Sequence, residues 1–126
     1  MPIRFNHTIL PARDAQRSAG FLADLLGVTA PRRMMPFHVV DIDDDASIDY
    51  MTVAALDGGF VQHVAFLVDD ATFDAVLARI HEQGLAHHAD AHAARAGINH
   101  NDGGRGVYVD DPDGNKLEFI TKPYGR

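Results

Sequence analysis

The sequence of 126 residues contains no cysteine. This absence excludes disulfide bonds, a thiolate metal site and a cysteine nucleophile, so any bound metal must take nitrogen or oxygen ligands. Basic residues are also scarce, because 11 lysine and arginine residues stand against 18 acidic residues and the formal net charge is -7. Such a balance argues against nucleic acid or an anionic membrane surface as the main partner.

Long apolar runs are missing as well. No continuous apolar stretch is long enough to span a bilayer, and the first ten residues lack the apolar run of a signal peptide. We therefore expect a soluble, cytoplasmic protein. The length, with 46% hydrophobic residues, suits one compact domain over residues 1–126.

The predicted elements form a first module over about residues 1–56. A strand is predicted from Ile3 to Leu10, closed by Pro11. Helical spacing of apolar residues follows from the N-cap Asp14 until Gly27. Three shorter strands complete the module, so its order is strand, helix and three strands.

The same order starts again in a second module over about residues 60–126. Val61 to Val68 is a predicted strand, and a helix follows from Asp69 until Gly84. A weak strand is predicted over residues 85–91. The last two strands flank a turn at Asp113-Gly114, which is typical of a hairpin. The chain is therefore an internal duplication of two βαβββ modules, and its predicted class is α+β.

The duplication extends to polar residues on the strands. "NHTIL" opens the first module and "QHVAF" opens the second, so His7 and His63 are equivalent and lie 63 − 7 = 56 positions apart. The last strand of each module also carries an acid among apolar neighbours, Asp49 in "SIDYM" and Glu118 in "KLEFI". If the modules pair about a pseudo-twofold axis, these side chains converge. Two imidazoles and a carboxylate suit a divalent metal with open positions for substrate.

Each of these residues also has a simpler interpretation. Glu118 alternates with Leu117 and Phe119, so it faces either water on a half-solvated sheet or a cavity. A single strand histidine is more often a hydrogen-bonded structural residue than a ligand. Asp49 beside Tyr50 is equally suited to a hydrogen bond with a neighbouring strand.

The two module openings, together with "GGRGVYVDDPDGNKLEF", resemble the vicinal oxygen chelate superfamily of glyoxalase I, fosfomycin and bleomycin resistance proteins and extradiol dioxygenases. The resemblance spans nearly the whole chain. It implies a curled mixed sheet with a metal-binding cleft, a homodimer and a small-molecule substrate with vicinal oxygens. It also implies one divalent metal ion, namely zinc, nickel, manganese or iron(II), bound by His7, His63 and Glu118.

The resemblance adds an acidic fourth ligand, which falls on Asp49. Its side chain is one methylene shorter than the usual glutamate. Beside Glu118, the proposed catalytic residues are His100, an acid or base from the polar loop before the last hairpin, and Tyr108, a hydrogen-bond donor to substrate. His38 is assigned either to a cavity or to the surface.

The resemblance leaves three functions open. A lyase or isomerase of the glyoxalase type is favoured, especially if Asp49 binds the metal. Extradiol ring cleavage with iron(II) is the alternative if only three protein ligands bind, and the third function is metal-free sequestration of a ligand. Fold and reaction are only loosely linked, so the superfamily alone does not choose among them.

Overall fold

The computed structural model describes residues 4–56 and 62–123. The contacts within the chain divide it into two compact units, unit one (Met1–Phe60) and unit two (Val61–Arg126). None of the helices in the described ranges is long and apolar enough to cross a membrane. The assembly of both units into one domain stays a prediction.

Unit one is an open four-stranded sheet with one helix. The strand order is β1-β4-β3-β2, in which β1 pairs with β4 in parallel and the other pairs are antiparallel. The elements are β1 (His7–Ala12), α1 (Ala15–Leu26), β2 (Arg32–Met34), β3 (Phe37–Asp41) and β4 (Ser47–Thr52).

The ends of α1 follow the sequence signals. The Asp14 carboxylate accepts the Arg17 backbone N–H at 3.2 Å, and Gly27 ends the helix with φ 72° while its N–H donates to the Ala23 carbonyl at 2.9 Å. Glycine adopts this left-handed conformation without the steric cost of a Cβ atom. The predicted bounds of the first helix are therefore confirmed.

The two faces of the unit-one sheet differ in chemistry. Successive residues of a strand point to opposite faces. Leu10 of β1 and Tyr50 of β4 are fully buried on the face against which α1 packs. His7 and Asp49 lie on the other face, so the helix leaves their side of the sheet free.

Unit two is a three-stranded sheet of order β5-β7-β6, with β5 parallel and β6 antiparallel to β7. Arg105 ties α2 to the start of β6, because its guanidinium pairs with Asp70 and Asp74 at 3.0 and 2.7 Å and lies over the Phe73 ring. The elements are β5 (His63–Leu67), α2 (Asp70–Glu82), a 3-10 turn (Asn101–Gly103), β6 (Gly106–Asp110) and β7 (Lys116–Ile120).

The predicted α+β class is confirmed, and the strands differ from the prediction at the ends of β1 and β5 and over residues 85–91. The first strand does not close at Pro11 but continues to Ala12, paired with β4. The predicted strand starts, Ile3 and Val61, lie outside the described residues, but residues 4–6 and Gln62 are described and are not in strands, so β1 and β5 begin later than predicted, at His7 and His63.

The weak strand predicted over residues 85–91 is reduced to single bridges, from His88 to Tyr108 and to Ala96. The Asp90 carboxylate accepts the backbone N–H groups of His92, Ala94 and Arg95 at 2.8 to 3.2 Å. These bonds wind the chain into a turn where an extended strand was expected.

Candidate metal centre

Unit two brings His63 and Glu118 together. They lie on the same face of neighbouring strands, and the His63 Nε2 and Glu118 Oε1 atoms are 2.8 Å apart. The Glu118 side chain is only 9% exposed, whereas that of His63 is 44% exposed. Glu118 is therefore shielded from water. The partly exposed imidazole of His63 is the more accessible member of the pair.

This separation fits two ligands of one ion. At metal–ligand bonds of about 2.0–2.2 Å and a right angle, neighbouring ligand atoms lie about 3 Å apart. With a proton on Nε2 the same contact is a charge-assisted hydrogen bond, in which the His63 N–H donates to the carboxylate. The donor set of one imidazole and one carboxylate suits zinc, nickel, manganese or iron(II).

Tyr108 completes this group. It stands opposite Glu118 in the β6–β7 register, and its ring meets the His63 ring edge-on at a centroid distance of 5.6 Å. The aromatic contact restricts the orientation of the imidazole. The structure thus brings three of the predicted site residues together within one sheet.

Unit one presents the other two predicted ligands. His7 and Asp49 both line a cavity of about 330 Å³ on the sheet face that α1 leaves free. Neither unit alone, in the residues that the structure describes, brings three histidine or acidic side chains close enough to hold a metal ion. The convergence of all four residues on one ion stays a prediction.

Neighbouring polar groups orient both of these side chains. The His7 Nδ1 and Asn6 Oδ1 atoms are 2.6 Å apart, and an amide oxygen can only accept, so Nδ1–H donates. The lone pair of His7 then sits on Nε2, as in metal-binding histidines whose second nitrogen is hydrogen-bonded. Asp49 is 6% exposed and accepts the Ser47 hydroxyl at 2.7 Å through Oδ1.

His100 is the predicted site residue that stands apart. It is exposed just before the 3-10 turn, whereas its neighbour Asn99 is buried. Asn99 and Glu118 line one very small cavity of about 10 Å³. The role of His100 as an acid or base stays a prediction, and His38 lines a different cavity, beside α1.

Residues 4–119 match the family described as the Glyoxalase/Bleomycin resistance protein/Dioxygenase superfamily. The chain belongs to this superfamily. No curated protein sequence matches it.

Two solved structures are similar to the chain over nearly its whole length. Oxidase ChaP-H1 is 51% identical with a TM-score of 0.91, over 98% of this chain and 99% of that one. Oxidase ChaP-H2 is 46% identical with a TM-score of 0.90, over 99% and 98%. The fosfomycin resistance protein FosX from Mesorhizobium loti is 23% identical with a TM-score of 0.68, over 94% and 91%, which shows the shared fold alone.

The sequence patterns did not reveal the charged wall of the unit-one cavity in this superfamily member. Arg32 on β2 donates to Asp41 on β3 from Nε at 2.6 Å and from Nη2 at 3.0 Å. Arg32 pairs with Val39 in the β2–β3 register, which places Asp41 two residues along the same face. The contact between Arg32 and Asp41 could have been predicted only from the register of the β2–β3 hairpin.

Proposed function

We propose that this chain is a metal-dependent oxidase that transfers electrons from a small substrate with vicinal oxygens to dioxygen. The support is the 51% identity to a protein named an oxidase, over 98% of this chain. The buried Glu118 beside the half-exposed His63 supplies a donor pair that such a reaction uses. The earlier preference for lyase or isomerase chemistry therefore takes second place.

In this proposal His63 and Glu118 hold the ion from unit two, and His7 holds it from unit one. The bound ion would supply open positions for chelating oxygens and would stabilise negative charge on them. Glu118 would balance one of the two positive charges of the ion. The Asn6 amide keeps a proton on His7 Nδ1 and so keeps Nε2 available as a ligand.

In the same proposal, Tyr108 and His100 donate or transfer protons during the reaction. Tyr108 lies against the His63 ring, so its hydroxyl is suited to donate to an oxygen of the bound substrate. His100 is exposed on the loop before β6, which suits the exchange of protons with solvent. We also propose that the chain works as a homodimer.

The second candidate is a lyase or isomerase of the glyoxalase type, and one observation favours it. Asp49 is buried on the wall of the cavity that also contains His7, at the place of a fourth ligand. A fourth protein ligand leaves fewer positions for substrate and dioxygen together. Its second carboxylate oxygen would be free to take a proton from the substrate.

The deciding experiment measures both reactions on one preparation. Protein purified without chelator or affinity metal is first analysed for its metal content. It is then loaded with iron(II) and assayed for oxygen uptake with a catechol, and loaded with nickel or zinc and assayed for isomerisation of a hydroxy ketone or thiol adduct. Iron-dependent oxygen uptake is the expected result.

The variant Asp49→Ala separates the two candidates, with Asp24→Ala on the exposed face of α1 as its matched control. Oxygen uptake that survives Asp49→Ala supports the oxidase. Isomerase activity that is lost in Asp49→Ala, without oxygen uptake in the parent, would make the glyoxalase reading the correct one. Protein that binds ligands tightly without any metal would favour sequestration.

A further inference from the structure

The unit-one cavity is strongly acidic. Its lining contains five carboxylates and, among the described residues, a single guanidinium, that of Arg32. Arg4 lies outside the lining and pairs with Asp45 at 2.9 Å. The carboxylates are those of Asp41, Asp43, Asp44, Asp45 and Asp49.

Asp41 already engages two of the five N–H groups of Arg32. The guanidinium holds the Asp41 carboxylate through two nitrogens, at 2.6 and 3.0 Å, in the bidentate geometry that also recognises anionic ligands. The pairing lowers the pKa of Asp41, so the carboxylate stays ionised at neutral pH. An incoming anion would have to displace Asp41 or use the remaining N–H groups of Arg32, whose positive charge Asp41 already neutralises.

The remaining charge repels anions. With Asp41 paired to Arg32 and Asp45 to Arg4, 5 − 2 = 3 carboxylates have no cationic partner among these side chains. A divalent ion held by His7, His63 and Glu118, as proposed above, would keep about one positive charge after Glu118 and would offset only one of these three charges. The Asp43 carboxylate is fixed in place, because Oδ1 accepts the N–H groups of Asp45 and Ala46 at 2.7 and 2.8 Å.

The rest of the lining offers apolar surface. Met34 ends β2, and Phe37 and Val39 belong to β3, so the three side chains form one wall of the cavity. Met34 is 50% exposed, which leaves its side chain available to a ligand. An apolar body fits this wall, and the polar end of the ligand then points toward His7 and Asp49.

We propose that this cavity takes a substrate with an apolar body that carries no carboxylate, phosphate or phosphonate group besides its chelating oxygens, and that Asp41 sets this selectivity by neutralising the charge of Arg32. The inference rests on the proposed function and names the substrate class of the same site.

The test compares two catechols of matched shape, neutral 3,4-dihydroxybenzamide and anionic 3,4-dihydroxybenzoate. Their dissociation constants are measured by isothermal titration calorimetry on zinc-loaded and metal-free protein, which requires no turnover. For the parent we expect the amide to bind roughly tenfold more tightly than the acid, because like charges oppose the acid. Raising the salt concentration should narrow the difference through screening.

Asp41→Asn is the decisive variant, because it frees Arg32 to bind the carboxylate of the probe. We expect the affinity for the acid to rise roughly tenfold, as for a charge-assisted hydrogen bond, while the affinity for the amide stays the same. Asp24→Asn on α1 makes the same change in net charge away from the cavity and should leave both constants unchanged. Circular dichroism and thermal melting check that both variants fold.

Four results would overturn the inference: equal affinity of the parent for both probes, no binding of either, no gain in affinity for the acid in Asp41→Asn, or an equal gain in Asp24→Asn. Failure of the proposed oxidase function is detected separately, by the assay of oxygen uptake. A protein that discriminates between the probes but consumes no oxygen retains this substrate class and is not an oxidase.

Discussion

An imidazole binds a metal through one nitrogen, and the partner of the other nitrogen decides which one is free. In unit one that partner is Asn6, directly before His7 in the chain. The pattern of an amide followed by a histidine was visible in the sequence as part of the repeat. The sequence did not show that Asn6 orients the His7 ring, because this role depends on a 2.6 Å contact between the two side chains.

At the residue scale, Glu118→Gln tests the carboxylate. Glutamine keeps the shape and an acceptor oxygen but removes the charge that a divalent ion needs. We expect the dissociation constant for zinc to rise at least tenfold, in line with the roughly 10–100-fold effects seen around metal sites. Competition with a chromophoric chelator measures it, and the melting temperature should stay close to that of the parent.

The control is Glu82→Gln at the end of α2, an exposed residue that makes the same chemical change. Unchanged zinc affinity in Glu118→Gln would show that the carboxylate only supports the sheet. The alternation of Leu117, Glu118 and Phe119 predicted which face the carboxylate occupies. It did not predict burial, because Tyr108 and His63 come from other strands.

At the scale of the element, the last hairpin depends on Asp111. Its Oδ1 accepts the backbone N–H groups of Asp113 and Asn115 at 2.8 and 2.9 Å, and its Oδ2 accepts from the Asn115 amide at 2.8 Å. Asp111→Ala removes the acceptor for all three donors. We expect a loss of about 3 kcal/mol in the free energy of unfolding, measured by urea denaturation, since buried donors without partners are costly.

Asp111→Asn is the matched control, because it keeps one acceptor oxygen and the size of the side chain. A loss in Asp111→Ala no larger than in Asp111→Asn would contradict this role for the carboxylate.

The same carboxyl group makes a prediction about pH. Burial raises the pKa of Asp111 above its ordinary value despite the donors around it. The folded protein then holds the proton more tightly than the unfolded chain, so this group's contribution is present at low pH and is lost as the pH rises through its folded pKa. The unfolding free energy of Asp111→Asn relative to the parent should therefore increase over that interval. A constant difference would contradict the raised pKa.

The ends of elements were predictable where one residue determines them. Asp14, Gly27 and Asp69 act through local bonds and stand where expected. Pro11 misled the prediction, because proline is tolerated on an edge strand and β1 is the edge of its sheet. The strand over residues 85–91 failed because the carboxylate of Asp90 offers nearby N–H groups another partner.

At the scale of the whole molecule, the duplication was predictable because it repeats in sequence. Both units start with a strand that carries a histidine, and in both the first strand pairs in parallel with the last. Strand order was not predictable from the periodicity of apolar residues, which reports faces but not neighbours. The metal ligands were predicted from the equivalence of positions in the two modules. Whether these side chains bind one common ion is a matter for experiment.

Metal binding to both units at once would couple their unfolding. A ligand at about 100 times its dissociation constant adds about 2.7 kcal/mol to the stability of the folded state. We expect zinc to raise the melting temperature in a single calorimetric transition, and His7→Ala and His63→Ala each to abolish most of the rise. His92→Ala, in an exposed loop, is the control. A full rise in His7→Ala would place the ion in unit two alone.

The parallel pairing of first and last strands also has a consequence for synthesis on the ribosome. His7 pairs in register with Ser47, and His63 with Lys116, so the partners are 47 − 7 = 40 and 116 − 63 = 53 positions apart. Translation adds about 5–20 residues per second, so β1 has no partner strand for roughly two to eight seconds, until β4 has been synthesised. During that interval α1 can already form and shield Leu10, whereas the backbone edge of β1 stays open to other chains. Each half of the duplication repeats this delay, and neither sheet closes until the last strand of its own unit has emerged.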